Sequence, residues 1–509
     1  AINKMYKGKS FRFFLCCIFV VPGLLGQQTA RIEIINTNSL EFNKQANADA
    51  KKLIGDVEFR HESAVMFCDS AYFYTSQNKI DAFGHIAIHQ GDTLHLYGDK
   101  LMYDGNQRLA QIRGKVKLVD NETVLSTENL DYNIAQDVGY YFNGGNIVNK
   151  DNKLKSLEGY YYTKLKMFHF KKNVEIVNPK YVIKSDTLKY NTVKRTAFFF
   201  GPSTITSDEN SIYCENGWYN TITNKSQFSK NSKLIGTKRL LKGDSLYYER
   251  NIGLGKAYGN IFLIDSARNI ILTGNYALYK ENPEYAFITD RATLIYIGKT
   301  DSLFLHADTL EAFTDTSKIN KIVRAYREVR IFKPDLQGIC DSMSFSTVDS
   351  VLKMFYEPVL WSGANQISAD EINMYLANSQ ISTIDFTANC FIVSKEDTDK
   401  FSQVKGKNMK GYFKNNQLVK LSIKGNGQTL YYGKDKEKIV GVNRADCSNI
   451  DIILENRKIK KILFLVQPDA TLFPIEKLPA EQKLLKGYKW LESLQPKNKE
   501  DIYRKTKVK

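Results

Sequence analysis

Apolar and polar residues alternate along most of this chain, and a recurring phrase cuts the alternation into segments of similar length. The phrase is an acid followed at two and four positions by apolar or aromatic residues. It reads Asp99-Lys100-Leu101-Met102-Tyr103, Glu128-Asn129-Leu130-Asp131-Tyr132, Asp186-Thr187-Leu188-Lys189-Tyr190 and Asp244-Ser245-Leu246-Tyr247-Tyr248. Looser copies begin at Asp69, Glu158, Glu215, Asn275, Asp308, Asp341, Asp370, Asn408 and Asp446, so successive starts fall 28 to 38 residues apart (69→99→128→158→186→215→244→275→308→341→370→408→446). A second marker lies about fifteen residues after the first: a Gly or Asn leading into alternating apolar positions, as in Gly84-His85-Ile86-Ala87-Ile88, Gly114-Lys115-Val116-Lys117-Leu118 and Gly259-Asn260-Ile261-Phe262-Leu263. Each period therefore holds two extended segments with period-two alternation, the pattern of strands with one buried face. Tyr, Phe, Val, Ile and Thr fill them, as β-propensity requires. No window between residues 30 and 465 carries a helical stripe longer than about three turns.

A fixed period means one supersecondary unit stacked many times, each copy burying its neighbour's apolar face. Fifteen-residue spacing leaves room for a strand and a tight turn, which predicts an antiparallel meander. A single sheet of that length cannot hide its apolar face, so it must fold along its axis into a two-sheeted trough. The expected fold is all-β, an elongated array of about thirteen units extending on the order of 120 Å. A small residue precedes the acid in most copies (Cys68, Gly98, Thr127, Ser185, Cys214, Gly243), which marks a bend where the sheets converge. The acid itself reads as a bend residue whose carboxylate accepts backbone N–H groups.

The ends of the chain differ from the array. Lys4, Lys7, Lys9 and Arg12 precede the apolar run Phe13 to Val21, a secretory leader with Met5 as initiator and cleavage expected after Gly26. Pro468, Pro474 and Pro479 break the pattern after Val466, and Leu484, Tyr488, Leu491 and Leu494 then fall at helical spacing. An amphipathic helix over Ala480 to Leu494 is expected there, capping the last rung, with a basic C-terminus behind it. The resulting organisation is a leader over 1–26, one array over 27–465 and a Pro-punctuated tail over 466–509.

Charge and candidate chemistry narrow the function by exclusion. The formal net charge is +17, from 72 basic against 55 acidic residues, but no RNA module or zinc finger accompanies it, so a nucleic-acid partner is not expected. Lysines along the rims suit phosphorylated amphiphiles as counter-charges. Cys68, Cys214, Cys340, Cys390 and Cys447 match neither a zinc site nor a disulfide framework and read as small buried apolar residues. His85, His89 and His95 share one parity but lack an acidic or cysteine partner at ligand spacing, so no metal is expected. No Ser/His/Asp or Cys/His constellation stands out, and a carboxylate repeated in every unit cannot be one catalytic centre. The expectation is a protein without enzymatic activity, cofactor or metal.

The acid–apolar–Tyr phrase followed by Gly-Asn-Val or a close variant resembles the OstA/LptA family of periplasmic lipopolysaccharide-transport proteins. Gly243-Asp244-Ser245-Leu246-Tyr247-Tyr248 leading to Gly259-Asn260-Ile261-Phe262-Leu263 is the nearest copy, and the likeness extends over most of residues 30 to 465. The resemblance implies a twisted β-jellyroll whose apolar interior holds lipid A acyl chains, and members that stack end to end between inner and outer membrane. It implies an exported, envelope-associated protein that binds lipopolysaccharide or lipooligosaccharide and meets other transport components of both membranes. The known short members hold far fewer units, so this chain looks like an expanded version. Inward positions expected to line the groove include Leu101, Tyr103, Val116, Leu118, Leu188, Tyr190, Leu246, Tyr248, Ile261 and Leu263. The competing reading is a structural or adhesive β-array of the cell envelope with a solid core.

Overall fold

The computed structural model describes residues 30–42, 49–208, 210–315, 320–377, 380–414, 417–435, 438–455 and 458–504. The leader expected over 1–26 and the basic residues 505–509 lie outside the described residues. The chain divides into two compact units, one of residues 1–119 with 129–136 and the other of residues 120–128 with 137–509.

Strands dominate both units, and most long strands pair antiparallel with the next long strand in sequence. In the first unit Ala50–His61, Ala64–Tyr74, Lys79–Gln90 and Leu94–Asp104 follow one another as a meander. In the second, Met167–Asn178, Tyr181–Asn191, Thr196–Thr206, Asn210–Asn220, Lys225–Gly236, Arg239–Glu249, Leu254–Asp265 and Ile270–Lys280 do the same. The all-β antiparallel expectation therefore holds. Asx residues set several of the hairpins. Asn191 accepts from the N–H groups of Val193 and Lys194 at 3.1 and 2.6 Å, and Asn220 from those of Ile222 and Thr223 at 3.0 and 2.8 Å.

Each meander bends at a two-residue bulge with left-handed backbone, and the bulges fall on the Gly/Asn marker. Gly84 and His85 have φ of 76° and 42°, and Gly259 and Asn260 have 66° and 47°. Register shifts at these points, and the pairing splits into two ladders. Thus Gly145–Asn149 pairs with Thr123–Thr127, whereas Glu158–Tyr162 pairs with Val138–Tyr141. The two ladders are the two walls of the second unit. The acidic phrase residue serves the bend, but by a different contact from the one expected. Its carboxylate takes the side chain of the second bulge residue, His85 Nδ1 on Asp69 at 2.8 Å, Asn260 Nδ2 on Asp244 at 2.9 Å and Asn389 Nδ2 on Asp370 at 2.9 Å. That carboxylate also lies over the bulge glycine, so a Cβ at Gly84 would come 2.2 Å from Asp69 Oδ2. The small residue before the acid admits an apolar side chain from the next strand, since a Cβ at Gly98 would meet Ile112 Cγ2 at 2.4 Å. All five cysteines among the described residues are free and buried. Burial pushes the Cys214 and Cys340 thiols up to about 12, so neither is nucleophilic at neutral pH.

The tail departs from the sequence expectation. Instead of a helix over Ala480 to Leu494 it forms the 3-10 turns Ala480–Gln482 and Glu492–Leu494 joined by irregular chain with a turn in which Tyr488 N–H donates to Leu485 C=O. Pro479 and Pro496 bound the stretch, Gly487 interrupts it at φ 96°, and side chains of the sheet claim its main-chain groups. Gln403 accepts from Leu485 N–H at 2.8 Å and donates to Lys483 C=O at 3.0 Å. Gln366 accepts from Leu491 N–H at 2.7 Å and donates to Lys489 C=O at 2.8 Å. A helix would withdraw those groups into its own ladder. Leu478 and Leu485 complete a buried cluster with Phe391, Val393, Leu430, Tyr432 and Val442. Of the predicted stripe, Tyr488 packs against this cluster while Leu484 is exposed, so the stretch docks as a strap and not as a helix face.

Candidate functional site: a seam that is latched and then opens

Within the second unit, the free edges of the two walls are rows of hairpin turns that face each other along a seam. One row of inward apolar residues runs just inside it, linked rung to rung by register: Leu125, Ile147, Leu154, Ile176, Ile183, Ile205, Ile212, Leu234, Leu241, Leu263, Leu272, Leu294 and Leu305. From Leu125 to Ile205 every member is buried. From Ile212 to Leu305 every member is only half-buried. The next rung, Ile331, is buried again. The row is thus sealed, open and sealed.

A tyrosine ladder explains the sealed part. Tyrosines recur at Tyr103, Tyr132, Tyr161, Tyr190, Tyr219 and Tyr248, 29 residues apart each time, all at the fourth position of the repeat phrase except Tyr161, which follows Glu158 by three. In the first unit Tyr103 Oη meets His61 Nδ1 at 2.6 Å, and Tyr132 Oη donates to Gln90 Oε1 at 2.9 Å. In the second unit Tyr161 Oη donates to Asp120 Oδ2 at 2.6 Å, and the same carboxylate holds Lys166 Nζ at 2.7 Å. Tyr190 Oη accepts from Asn152 Nδ2 at 2.9 Å and donates to Asn149 Oδ1 at 3.2 Å. Each hydroxyl thus reaches across to a polar residue at a turn of the opposite wall, where burial without a partner would be costly. Tyr219 instead meets Tyr181 edge to face at 5.3 Å between centroids. Beyond it Tyr248 and Tyr279 are 39% and 44% exposed, against 1% for Tyr190. The residues between the tyrosines change in the same place. Phe168 stacks on Tyr161 at 4.1 Å, but the corresponding rungs further along are Ala197, Ser226 and Gly255. Small residues leave the rim without the rings that would fill the gap.

The expected groove residues divide accordingly. Leu101, Tyr103, Val116, Leu118, Leu188 and Tyr190 are buried among side chains. Leu246 and Ile261 are buried, Leu263 lies in the half-exposed row, and Tyr248 stands exposed at the rim. His89 and His95 are cross-strand partners with rings 4.6 Å apart, and His85 pairs with Asp69 at its bulge. The latching partners Gln90, Asp120 and Asn149 went unread in the sequence. Their spacing, 90→120→149, follows the period of the tyrosines and is the signal that could have found them. A rim cavity of about 510 Å³ lies where latching gives way to opening, lined in part by Lys180, Tyr181, Arg195, Tyr219 and Arg250. Burial raises the Tyr181 and Tyr219 hydroxyl pKa values, opposed at Tyr181 by Arg195 and at Tyr219 by Arg250, so both stay protonated donors.

Residues 29–186 and 182–244 match the model of a family described as OstA-like protein. Among solved structures, LptH of Pseudomonas aeruginosa, the LptA-homologous periplasmic component of the conserved lipopolysaccharide transport device, aligns at 14% identity over 20% of this chain and 79% of its own, with a TM-score of 0.20. No curated protein is significantly similar to the chain.

Proposed function

We propose that this chain, whose residues 29–244 are similar to the OstA-like family, binds lipopolysaccharide or lipooligosaccharide and conducts it across the periplasm toward the outer membrane. The observation that carries this reading is the stretch of inward apolar residues from Ile212 to Leu305 that the tertiary structure leaves half-exposed. Acyl chains lodged there lose contact with water at roughly 0.8 kcal/mol per methylene. Successive rungs offer similar aliphatic side chains, so translation along the row is nearly level in energy, and direction comes from an energy source elsewhere. The role requires no bond chemistry and no cofactor. Leu246, Ile261 and Leu263 form the floor and wall of the lipid path, with Tyr248 at its lip. The six other expected groove residues support the sealed sections on either side of the unit boundary in sequence. Transport components of the two membranes are the partners this role needs, joined by strand addition to the end strands.

The sealed stretch from Leu125 to Ile205 favours a second reading, a solid envelope rod. One experiment separates the two. A photoreactive residue is placed in cells at Leu263, facing inward, or at Phe262, its neighbour on the opposite face of the same strand. Conduction predicts a lipopolysaccharide adduct at position 263 and none at 262. Absence of an adduct at 263 in exported, folded protein would leave the rod.

A further inference from the structure

We propose that the 510 Å³ rim cavity is a binding site for an anionic saccharide, its charge carried by phosphate or carboxylate. The proposal deepens the lipid-carrier reading, because the cavity stands at the head of the half-open apolar row and would hold a headgroup whose tails enter it.

Charge is the first argument. Lys180, Arg195 and Arg250 line the cavity against one acid, Asp151, which lies 3.9 Å from Arg195. Among the described residues, neither Lys180 nor Arg250 has an ion pair within 4.0 Å. A neighbouring concavity of about 340 Å³ shares Arg195 and provides the contrast. Its other two cations are spoken for, Lys150 by Glu122 at 2.9 Å and Lys166 by Asp120 at 2.7 Å. Cations without an acidic partner are therefore concentrated at the larger cavity.

Unsatisfied donors are the second argument. Arg195 Nε and Tyr181 Oη are sealed from solvent with no hydrogen-bond partner in the protein. Such burial costs free energy, and because both half-buried side chains line the cavity, a small rotation would let a ligand there complete these groups. A guanidinium matched to an oxyanion makes charge-assisted, paired hydrogen bonds. The third argument is the lining between the charges. Asn178, Asn224 and Asn251 supply amides, and the Tyr181 and Tyr219 rings supply flat apolar faces. That mixture suits sugar hydroxyls and ring faces, and the volume exceeds what a bare inorganic anion fills.

The test uses the purified full chain and a deacylated, phosphorylated oligosaccharide prepared from lipopolysaccharide, titrated calorimetrically. The wild-type chain should bind it, Arg250→Gln with Lys180→Gln should weaken binding by about tenfold or more, and Asp151→Asn should tighten it. Both cations lie at the exposed rim, so the double variant should fold normally. Phosphatase treatment of the probe and a carboxylate-only oligosaccharide identify which anion is read. No binding by the wild-type chain, or binding indifferent to all three substitutions, overturns the site. The adduct at position 263 is scored separately in the same variants. If the oligosaccharide binds but no adduct forms, the carrier reading fails and the site stands. If an adduct forms without oligosaccharide binding, the carrier reading stands and the site fails.

Discussion

Within the second unit, residues 120–128 with 137–206 and residues 210–305 are built from the same repeat, yet one stretch is shut and the other is open. Both alternate apolar and polar positions, and both bend at a left-handed bulge such as Lys172-Asn173 or Gly259-Asn260. The difference lies in two features outside the alternation. In the shut stretch the turns of one wall present Asp120, Asn149 and Asn152 to the tyrosines of the other. In the open stretch the rungs between tyrosines shrink to Ser226 and Gly255, and the tyrosines stand at the rim. A repeat can thus be tuned from scaffold to groove without disturbing its strands.

The largest effect that separates the stretches is loss of a latch. Tyr190→Ala removes a buried ring and strands two asparagines, and should cost about 3 to 5 kcal/mol in urea unfolding, whereas Tyr279→Ala at the exposed rim should cost less than about 1 kcal/mol. Equal costs would mean that the seam is not latched by its tyrosines. Asp120→Ala leaves Lys166 and the Tyr161 hydroxyl without their shared carboxylate. A loss of about 3 kcal/mol is expected, near the low end for a broken buried pair because Lys166 is partly exposed.

A third substitution would convert open into shut. A Cβ at Gly255 would meet Tyr248 and Tyr279 only at 3.8 Å, an ordinary contact, so the position admits a side chain. Gly255→Phe copies Phe168 of the shut stretch and should suppress the lipid adduct at Leu263 while changing stability by less than about 1 kcal/mol. An undiminished adduct would place the lipid elsewhere. The smallest effect concerns the strap. Tyr503 packs on His306 with centroids 4.9 Å apart, and burial holds the His306 pKa below its ordinary value. The unfolded state then takes up the proton first, so this contribution is present above about pH 6.5 and is lost as pH falls through the lower folded value. Hydrogen exchange of residues 500–504 should rise across that interval, and His306→Gln should abolish the dependence.

Much of the fold was legible because its determinants are local. Asp69, Asp99 and Asp244 each mark a bend, and Gly84, Gly114 and Gly259 each mark the bulge that follows. The tail misled the reading for the opposite reason. Leu484, Tyr488, Leu491 and Leu494 have helical spacing, but Gln366 and Gln403, about eighty residues or more upstream, take the main-chain groups that a helix would need. The ten inward positions named from the sequence share one periodicity, which is why pattern alone could not divide them into filled core and open row. The cavity cations were equally hidden, since Lys180, Arg195 and Arg250 look like any lysine or arginine of a polar turn.

The sequence by itself determined that strands form, where they turn and which face of each is apolar, because alternation, turn chemistry and positive φ act over a few residues. Only the tertiary structure decided where the walls touch. That outcome depends on side chains 38 to 46 positions apart meeting across the seam, as Tyr190 meets Asn152 and Lys166 meets Asp120, and on the small residues that keep others from meeting.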